Sequence, residues 1–461
     1  MTQLETLPPS SSEQDLQWMR LALAQAQEAL YLTTPNPRVG CVVVSQEGQL
    51  LGLGHTQKVG FSHAEVMALK DLQSKGHSAK GTRVYVTLEP CSHTGRTPPC
   101  CDALIKAQVS HVFVSILDPN PLVAGQGVAW LRAQGIEVHV GLLSREAQEL
   151  NIGFFQRMNF KRPWFWSKIA SSLDGQTALE NGVSQWITSG DARSDGHHWR
   201  ARSCAILTGI GTLLQDQPRL DVRGIETPRQ PKLVVVDSQL QFPLNAQVLE
   251  VDREVIIYCA LAIDPQSHQI THVPALSLGN TTAYAQMSEV ERIKSLQTKL
   301  DALHNRGVKV VGQTLAHPTE GGEACPPIAR KVDLRQMALD LALKEVNEVH
   351  IEAGARLNGA MLEAQLIDEL LIYMAPKWLG PGRPMSVMPA LSDLHQALEL
   401  EWQSVDPVGV DLRIRARVKR SPMSPSPKTQ SRDKELVSSS VTTSNTEQTS
   451  TPTEISTPPP G

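Results

Sequence analysis

The sequence predicts an α/β protein made of two domains and a tail. Short apolar runs alternate with amphipathic helical segments over residues 12–145, and a second such series occupies residues 160–420. Each series is long enough to enclose its own hydrophobic core. After residue 420 the chain is rich in Ser, Thr and Pro and contains no aromatic residue. Such a segment buries too little apolar surface to offset its ordering entropy, so we expect residues 421–461 to be a disordered tail.

The first series starts with a helix. Apolar residues recur at steps of three and four from Leu16 to Leu30, which is the spacing of one helix face. Ser11 with Gln14 is the candidate capping box at its start. Strands are predicted at 39–45, 49–54, 83–88, 111–117 and 137–140, and helices at 63–73 and 101–108. Because strands and helices alternate, we expect an α/β/α sandwich.

The second series is predicted to form another sheet. Its strands are expected at 164–171, 205–208, 232–237, 255–260, 309–311, 349–352, 370–375 and 412–417. The stretch from Leu261 to Lys331 is polar and weakly periodic, so we expect an irregular excursion there. The pattern as a whole again favours an α/β fold.

Charge and composition exclude several classes of protein. The formal net charge is -4 with no long basic run, so binding to a nucleic-acid backbone has no electrostatic support. The seven cysteines are irregularly spaced and do not suggest a disulfide framework. No apolar run has the length of a membrane span, and the polar stretch 1–14 lacks a secretory core. We therefore expect a cytoplasmic enzyme that acts on a small molecule, with homo-oligomerisation left open.

The strongest signal of function is a set of His and Cys residues in the first domain. His63 and Glu65 are two residues apart, Cys91 follows Pro90 at the end of a predicted strand, and Cys100 opens a predicted helix. One imidazole and two thiolates form a donor set for Zn²⁺ that leaves a fourth position for water. A carboxylate that does not bind the metal can then carry protons, as zinc-dependent base deaminases require. The pattern predicts zinc at His63, Cys91 and Cys100, with Glu65 as the catalytic acid–base.

Two simpler interpretations of these residues remain open at this point. Buried cysteines often act only as small hydrophobic residues in a reducing compartment, beside an unrelated surface histidine. A structural zinc domain would recruit a fourth protein ligand, for which His93 and Cys101 are the candidates, and would not need Glu65. The order of the three ligands, each at the boundary of an element, favours the deaminase.

Longer motifs resemble those of the bifunctional riboflavin-biosynthesis deaminase/reductases. The most specific one runs from Thr87-Leu88-Glu89-Pro90-Cys91 to Thr97-Pro98-Pro99-Cys100. The others are Asn36-Pro37-x-Val39-Gly40, Asp118-Pro119-Asn120-Pro121, Ser172-Leu173-Asp174-Gly175, Gln185-Trp186-Ile187-Thr188-Ser189 and Ala375-Pro376-Lys377. The resemblance covers residues 15 to about 418, in the order of that family's two domains.

The resemblance implies a cytidine-deaminase-like first domain and a dihydrofolate-reductase-like second domain. The first would hydrolyse 2,5-diamino-6-(5-phosphoribosylamino)pyrimidin-4(3H)-one to the corresponding uracil and release ammonia, using zinc and Glu65. The second would use NADPH to reduce the ribosyl side chain, which gives 5-amino-6-(5-phosphoribitylamino)uracil. Asn36 and His55 match positions that meet the pyrimidine.

The resemblance also assigns residues of the second domain. The cofactor positions are Ala170, Trp186, Thr212, Asp216, Ser238, Gly354, Ala355, Arg356, Leu357, Asn358, Gly359 and Ala360. The substrate positions are Lys168, Ser184, Arg200, Leu220, Arg223 and Glu352. Two glycine-containing turns, 209–212 and 354–359, lead from predicted strands into helices, where backbone N–H groups can approach a phosphate. Arg200 and Arg223 suit the ribose phosphate, and Lys168 matches a position near the reacting ribose.

Two rival functions belong to other classes. One is a tRNA or free-nucleobase deaminase fused to a folate-type reductase, and the low basicity and the long interval from Cys91 to Cys100 oppose its tRNA form. The other is a binding or regulatory protein with one inactive site, which would be marked by a lost zinc ligand. Because the zinc motif ends well before Lys168, we also expect each site to work without the other.

Overall fold

The structure is a computed structural model and describes residues 12–93, 98–120, 123–273, 287–313 and 331–420. Residues up to Val418 form one compact unit that contains two large sheets. Ser11 and the predicted tail at 421–461 lie outside the described residues. The α/β prediction is confirmed for both halves of this unit.

The N-terminal part is a sheet with helices on both faces. Its strands are β1 (Gly40–Val44), β2 (Leu50–His55), β3 (Arg83–Val86), β4 (His111–Val114) and β5 (Glu137–Val140). Its helices are α1 (Glu13–Glu28), α2 (Ala64–Ser74), α3 (Cys100–Lys106), α4 (Gln126–Ala133), α5 (Ser144–Leu150) and α6 (Ile152–Phe160). The strand order is β2-β1-β3-β4-β5; β1 is antiparallel to both neighbours, and β3, β4 and β5 are parallel. α1 covers one face through Met19 and Ala22, and α2, α3 and α4 cover the other.

The start of α1 lies one residue later than the predicted capping box. Ser12 is the N-cap; its hydroxyl accepts from the backbone N–H of Asp15, and its own N–H donates to Asp15 Oδ2 at 2.8 Å. The other carboxylate oxygen of Asp15 accepts from the hydroxyl of the buried Tyr85 at 2.6 Å. Asp15 therefore ties the helix start to the sheet, whereas Gln14 is exposed, so the prediction of Ser11 with Gln14 is wrong.

The C-terminal part is a larger, mainly parallel sheet. Its strands are β6 (Trp164–Ser172), β7 (Gln176–Leu179), β8 (Ala205–Gly209), β9 (Lys232–Val236), β10 (Val255–Ile263), β11 (Ile270–His272), β12 (Lys309–Gln313), β13 (Glu348–Ile351), β14 (Glu369–Ala375), β15 (Gly382–Pro384), β16 (Leu400–Val408) and β17 (Asp411–Val418). Its helices are α7 (Gly190–Arg202), α8 (Ile210–Asp216), α9 (Glu289–Asn305), α10 (Leu334–Leu343) and α11 (Ala355–Glu363). The order is β11-β10-β9-β8-β13-β6-β14-β17-β16, with β12 also paired to β10 and with β7 and β15 forming a separate ribbon.

The expectation of irregular structure from Leu261 to Lys331 is wrong for the described part of that stretch. α9 is a 17-residue helix that begins with a capping box between Ser288 and Glu291. Leu296, Leu300 and Leu303 lie on one face of α9 and are buried against β10 and its neighbours. The helical spacing of these leucines was present in the sequence but was masked by polar surroundings. Among the described helices, none has the length and apolarity needed to cross a bilayer.

Candidate active sites

Three metal-binding side chains meet at one edge of the N-terminal sheet. His63 is the N-cap of α2, Cys91 follows the end of β3, and Cys100 is the first residue of α3. His63 Nδ1 lies 3.2 Å from Cys100 Sγ and 3.6 Å from Cys91 Sγ. One donor atom from each of the three residues lies within 4.8 Å of the others. The predicted ligands are therefore brought together, and their imidazole and thiols fit a tetrahedral zinc ion with one open position.

Close backbone packing brings His63 to this edge. A Cβ atom added to Gly54 in β2 would lie 2.4 Å from the backbone N of Ala68 and 2.5 Å from the carbonyl O of Ala64. Only glycine lets β2 and α2 approach so closely. The N-terminus of α2, with His63 before it and Glu65 in its first turn, is held against the sheet as a result.

A second backbone contact joins the two cysteines. The N–H of Cys100 donates to Cys91 Sγ at 3.3 Å, and the N–H of Cys101 donates to the carbonyl of Cys91 at 3.2 Å. The hydrogen bond from the Cys100 thiol, with a further one from His63, lowers the pKa of Cys91. The same hydrogen bond, together with burial, raises the pKa of Cys100. Cys91 is thus the thiol that loses its proton first, and its thiolate is the form that binds metal.

Glu65 lies beside this cluster and is not one of its ligating residues. Its side chain is buried, at 3% exposure. Burial, followed by the negative charge of Cys91, raises the pKa of Glu65 to about 7. A buried carboxyl that titrates near neutrality can both accept and donate a proton.

The structure does not add a fourth ligand from the two candidates in the sequence. Cys101 is buried and its thiol donates to the carbonyls of Pro90 and Gly127, at 3.4 and 3.7 Å. His93 is exposed and does not belong to the cluster formed by the described residues. These positions favour a catalytic site with an open position over a structural one.

Asn36 and His55 lie at the same edge of the sheet as the cluster. His55 ends β2 and pairs with Gly40 at the start of β1, and Asn36 precedes that start by four residues. Because β1 is antiparallel to β3, the beginning of β1 lies beside the end of β3, where Cys91 follows. The two residues therefore lie at the end of the sheet that carries the candidate zinc site.

Glu89 is a further buried carboxylate near this site, and its role was not predicted from the sequence. It is 4% exposed and accepts three backbone N–H groups, from Asp118, Gly125 and Val128, at 3.2, 2.9 and 3.1 Å. It thereby fixes the turn after β4 against the strand that carries Cys91. The signal for it was its place in the quoted Glu-Pro-Cys motif.

In the C-terminal part, two of the predicted substrate residues, Arg200 and Glu352, are paired with each other, and Glu352 follows β13. Arg200 of α7 donates to both oxygens of Glu352, from Nε at 2.5 Å and Nη2 at 2.9 Å, and from Nη1 to the carbonyl of Asp221 at 2.9 Å. Burial opposes ionisation of Glu352, but Arg200 and His350 more than offset it and hold its pKa well below the usual range. Glu352 is thus charged, and three N–H groups of Arg200 already have protein partners.

The other predicted substrate residues differ in exposure. Lys168 lies on β6 with its Nζ 5.8 Å from the ring centre of Tyr373, and burial lowers its pKa. Arg223 is exposed and lies 3.0 Å from Asp221 in an ion pair. Leu220 is 4% exposed, and its carbonyl accepts from an arginine side chain. Of the basic groups, Arg223 is the one open to a ligand from solvent.

Some of the predicted cofactor residues line open space. A cavity of 340 Å³ is lined by Asp216 of the predicted cofactor set and by Ser184 of the predicted substrate set, together with Asn181, Gly182, Val183, Gln185 and Gln215. Trp186 is 63% exposed, its carbonyl accepts from Lys377 Nζ at 2.9 Å, and Arg193 lies 4.2 Å above its ring centre. The stacking of Arg193 on Trp186 holds an aromatic face at this edge of the molecule.

Other members of the predicted cofactor set have structural partners. Asn358 is buried and donates to the carbonyls of Ala353 and Met385 at 3.2 and 3.1 Å. Gly359 is needed for packing, since a Cβ there would lie 1.9 Å from the carbonyl of Val387. Gly354 differs, because it is the N-cap of α11 and faces open space. Helix α11 also contains Ala355, Arg356, Leu357 and Ala360. Ala170 lies on β6 and Thr212 lies on α8. The hydroxyl of Ser238 accepts from the backbone N–H of Val332.

Comparisons with known proteins agree with both halves of the structure. Residues 12–116 match the cytidine and deoxycytidylate deaminase zinc-binding region, and residues 163–413 match the RibD C-terminal domain. The riboflavin biosynthesis protein RibD of Escherichia coli is 39% identical over 400 residues, which cover 87% of this chain and 98% of that protein. RibD of Aquifex aeolicus is 35% identical over 402 residues and covers the same shares.

Solved structures give the same result. A structure of Acinetobacter baumannii RibD has 37% identity and a TM-score of 0.72, and the match covers 88% of this chain and 99% of that one. A diaminohydroxyphosphoribosylaminopyrimidine deaminase/5-amino-6-(5-phosphoribosylamino)uracil reductase from Thermotoga maritima has 27% identity and a TM-score of 0.69 over the same shares. The matched lengths and identities confirm the resemblance, the deaminase-like and reductase-like halves, and both activities. The chain belongs to the RibD family of bifunctional riboflavin-biosynthesis enzymes, which combine a deaminase with a reductase.

Proposed function

We propose that this chain deaminates 2,5-diamino-6-(5-phosphoribosylamino)pyrimidin-4(3H)-one at the site of His63, Cys91 and Cys100, and then reduces the ribosyl side chain with NADPH. The observation that carries the first step is the three-donor cluster with a buried carboxyl, Glu65, beside it. The Thermotoga maritima relative is named for the same two reactions.

In the deaminase site, Glu65 is the group that moves protons. When bound, zinc supplies a Lewis acid that activates water at neutral pH. Glu65 would carry one proton of that water to the ring nitrogen and, later, the remaining O–H proton of the added hydroxyl to the amine. The carbon–nitrogen bond then breaks, a carbonyl forms, and ammonia leaves. Asn36 and His55, at the edge of the same sheet, hold the pyrimidine ring in place.

In the reductase site, Glu352 and its neighbours hold the ribose. When bound, NADPH would supply a hydride to C1' of the open-chain imine form of the sugar, and the imine nitrogen would take up a proton. Because Arg200 is engaged with Glu352, we assign it to orienting that carboxylate, and we assign the ribose phosphate to the exposed Arg223. Lys168, with its lowered pKa, is the candidate proton donor to the sugar oxygen. The cofactor then lies along Trp186 and the cavity lined by Asp216.

The rival functions have less support. A tRNA or free-nucleobase deaminase fused to a folate-type reductase does not explain why residues 163–413 match the RibD C-terminal domain. A regulatory protein with an inactive site would have lost a ligand or Glu65, and each of these is in place. Preference for NADPH over NADH and homo-oligomerisation stay predictions.

A two-step assay tests the proposal. The purified chain is given the diaminopyrimidinone ribotide first without NADPH and then with it, and its zinc content is measured in parallel. We expect ammonia release without NADPH, and NADPH oxidation only after the deaminated product has formed. Release of ammonia from cytidine or from a tRNA substrate, but not from the ribotide, would contradict the proposal.

A further inference from the structure

The loop that leads into β1 is held by side chains of the C-terminal part. Thr34 Oγ1 accepts from Arg229 Nη2 at 3.2 Å, and the carbonyl of Pro35 accepts from Asn347 Nδ2 at 2.8 Å. Both contacts lie within two residues of Asn36, the candidate pyrimidine contact. Residues 34–38 are called the substrate loop below.

A buried ion triad closes the other end of the substrate loop. Arg38 Nη1 lies 2.7 Å from Glu348 Oε1, and the side chains are 6% and 1% exposed. The second oxygen of Glu348 accepts from Arg202 Nε at 2.8 Å, while Arg38 Nη2 donates to the carbonyl of Arg202 at 3.0 Å. A buried charge that loses its partner is strongly destabilising. The position of Arg38 is therefore set by Glu348 of the C-terminal part.

Hydrogen bonds within the N-terminal part do little to fix the end of the substrate loop that lies away from β1. The N–H of Asn36 donates to the carbonyl of Thr33 at 2.8 Å, and Thr33 Oγ1 donates to the carbonyl of Asn36 at 3.1 Å. These bonds shape a local turn but do not orient that turn against the sheet. Asn151 pairs with the backbone N–H and carbonyl of Arg38, at 2.7 and 2.9 Å, and anchors the end next to β1.

We propose that Asn347 and Glu348, which belong to the reductase half, are positioning residues of the deaminase. They hold the substrate loop so that Asn36 meets the pyrimidine, and the affinity of the deaminase for its substrate depends on them. This inference rests on the role of Asn36 under the proposed function. A misplaced binding group weakens binding of substrate more than it slows a bound substrate, so its mark is a raised KM.

Glu369 provides a matched control in the same half of the protein. Its carboxylate is fully buried and, like that of Glu348, is paired with two arginines, Arg415 at 2.7 Å and Arg417 at 3.1 Å. Among the described residues, its hydrogen bonds and ion pairs do not involve the substrate loop. Glu369→Gln removes the same charge from the same kind of ion triad, so it reports the general effect of losing such a triad.

Three full-chain variants test the inference. Glu348→Gln removes the charge that holds Arg38. Asn347→Asp replaces the amide that donates to Pro35 by an acceptor but keeps the oxygen that accepts from Arg157 at 2.6 Å. We expect both to raise the KM for ammonia release by about 10-fold or more, with kcat within about 3-fold of the wild type. Zinc content and NADPH oxidation with supplied deaminated ribotide should stay unchanged.

The control variants separate the outcomes. Glu369→Gln should keep the wild-type KM for deamination, even if its melting temperature falls as much as that of Glu348→Gln. Asn36→Ala tests the underlying role, and it should raise the KM at least as much as Asn347→Asp. If Asn36→Ala raises the KM while Asn347→Asp and any folded Glu348→Gln do not, the positioning role is wrong and the proposed function stands. If Asn36→Ala also leaves the KM unchanged, the proposed role of Asn36 is wrong.

Discussion

Glu65 and His63 share the start of α2 but have different environments. His63 is the N-cap and lies within 3.6 Å of both thiols, whereas Glu65 lies one step into the helix and is buried beside them. This difference explains how two neighbouring residues of one motif can serve as a metal ligand and as a proton carrier. It also makes the two roles separable by mutation.

Glu65→Gln should keep the metal and lose deamination. The amide keeps the shape of the carboxyl but cannot accept and return a proton, so we expect ammonia release to fall by about 10²- to 10⁴-fold. Metal analysis should still find about one zinc per chain, because Glu65 is outside the ligand set. Turnover within a few-fold of the wild type would refute the assignment.

Glu348 makes the stability of the folded protein depend on pH in the acidic range. Burial opposes ionisation of its carboxyl, but Arg202 and Arg38 more than offset it and lower the pKa from 4.5 to about 2. The folded protein is thus stabilised above about pH 4.5, and this stabilisation is lost as the pH falls toward 2. Since one pKa unit corresponds to about 1.4 kcal/mol, the contribution is on the order of 3 kcal/mol.

Urea unfolding at two pH values measures this contribution. Glu348→Gln should be less stable than the wild type at pH 7, and the difference in unfolding free energy should shrink by about 1 kcal/mol or more at pH 3. Glu65→Gln leaves this triad intact and should not show this decrease. A difference for Glu348→Gln that is equal at both pH values would show that the charge of Glu348 is not the cause.

At the scale of elements, the packing of α2 on β2 depends on Gly54. A methyl group at Gly54 would meet backbone atoms of Ala64 and Ala68 at about 2.5 Å, and neither can move without moving α2. We expect Gly54→Ala to shift the N-terminus of α2, to lower zinc content, and to reduce deamination by about 10-fold or more. Gly196→Ala, in α7, meets no atom within 4 Å and should leave zinc content unchanged. Full zinc occupancy in folded Gly54→Ala would contradict this.

Local patterns predicted the strands of the first sheet, most strands of the second and the zinc ligands, because these depend on short-range order; β7, β11, β15 and β16 were not predicted. Runs of apolar residues bounded by Pro and Gly predicted the strand at Glu137–Val140. The same kind of pattern predicted the end of β3, which Cys91 follows, and the start of α3 at Cys100. The contacts of Glu348 could not be predicted this way, since Arg38 is 310 residues away and only the fold brings them together. Likewise, α4, α5 and α6 were not predicted, and α9 was obscured by its polar surroundings.

At the scale of the whole molecule, the two halves are joined by more than a linker. α5 and α6 connect the sheets, and Gly153 of α6 packs so closely on the backbone of Asn347 that a Cβ would lie 2.5 Å from its carbonyl O. Arg417 of β17 pairs with Glu149 of α5 at 2.8 Å. The limits 12–145 and 160–420 stay predictions, but contacts of this kind mean that the substrate loop would lack its supports in a separated first domain.

Each active site should still run its own reaction when the other is disabled, even though the C-terminal part supports the substrate loop. The side chain of Cys91 contacts His63 and Cys100, and within the described part of the chain it forms no hydrogen bond to the substrate loop or to the reductase residues. Its loss should therefore affect one reaction only. Cys91→Ser removes a metal ligand, and we expect ammonia release to fall by about 10²-fold or more while NADPH oxidation with supplied deaminated ribotide stays within about 2-fold of the wild type. Arg223→Ala should give the reverse pattern, because it removes the proposed phosphate contact and leaves the zinc site intact. If a folded Cys91→Ser variant also loses reduction of the supplied ribotide, the two active sites are coupled and the expectation of independent sites is wrong.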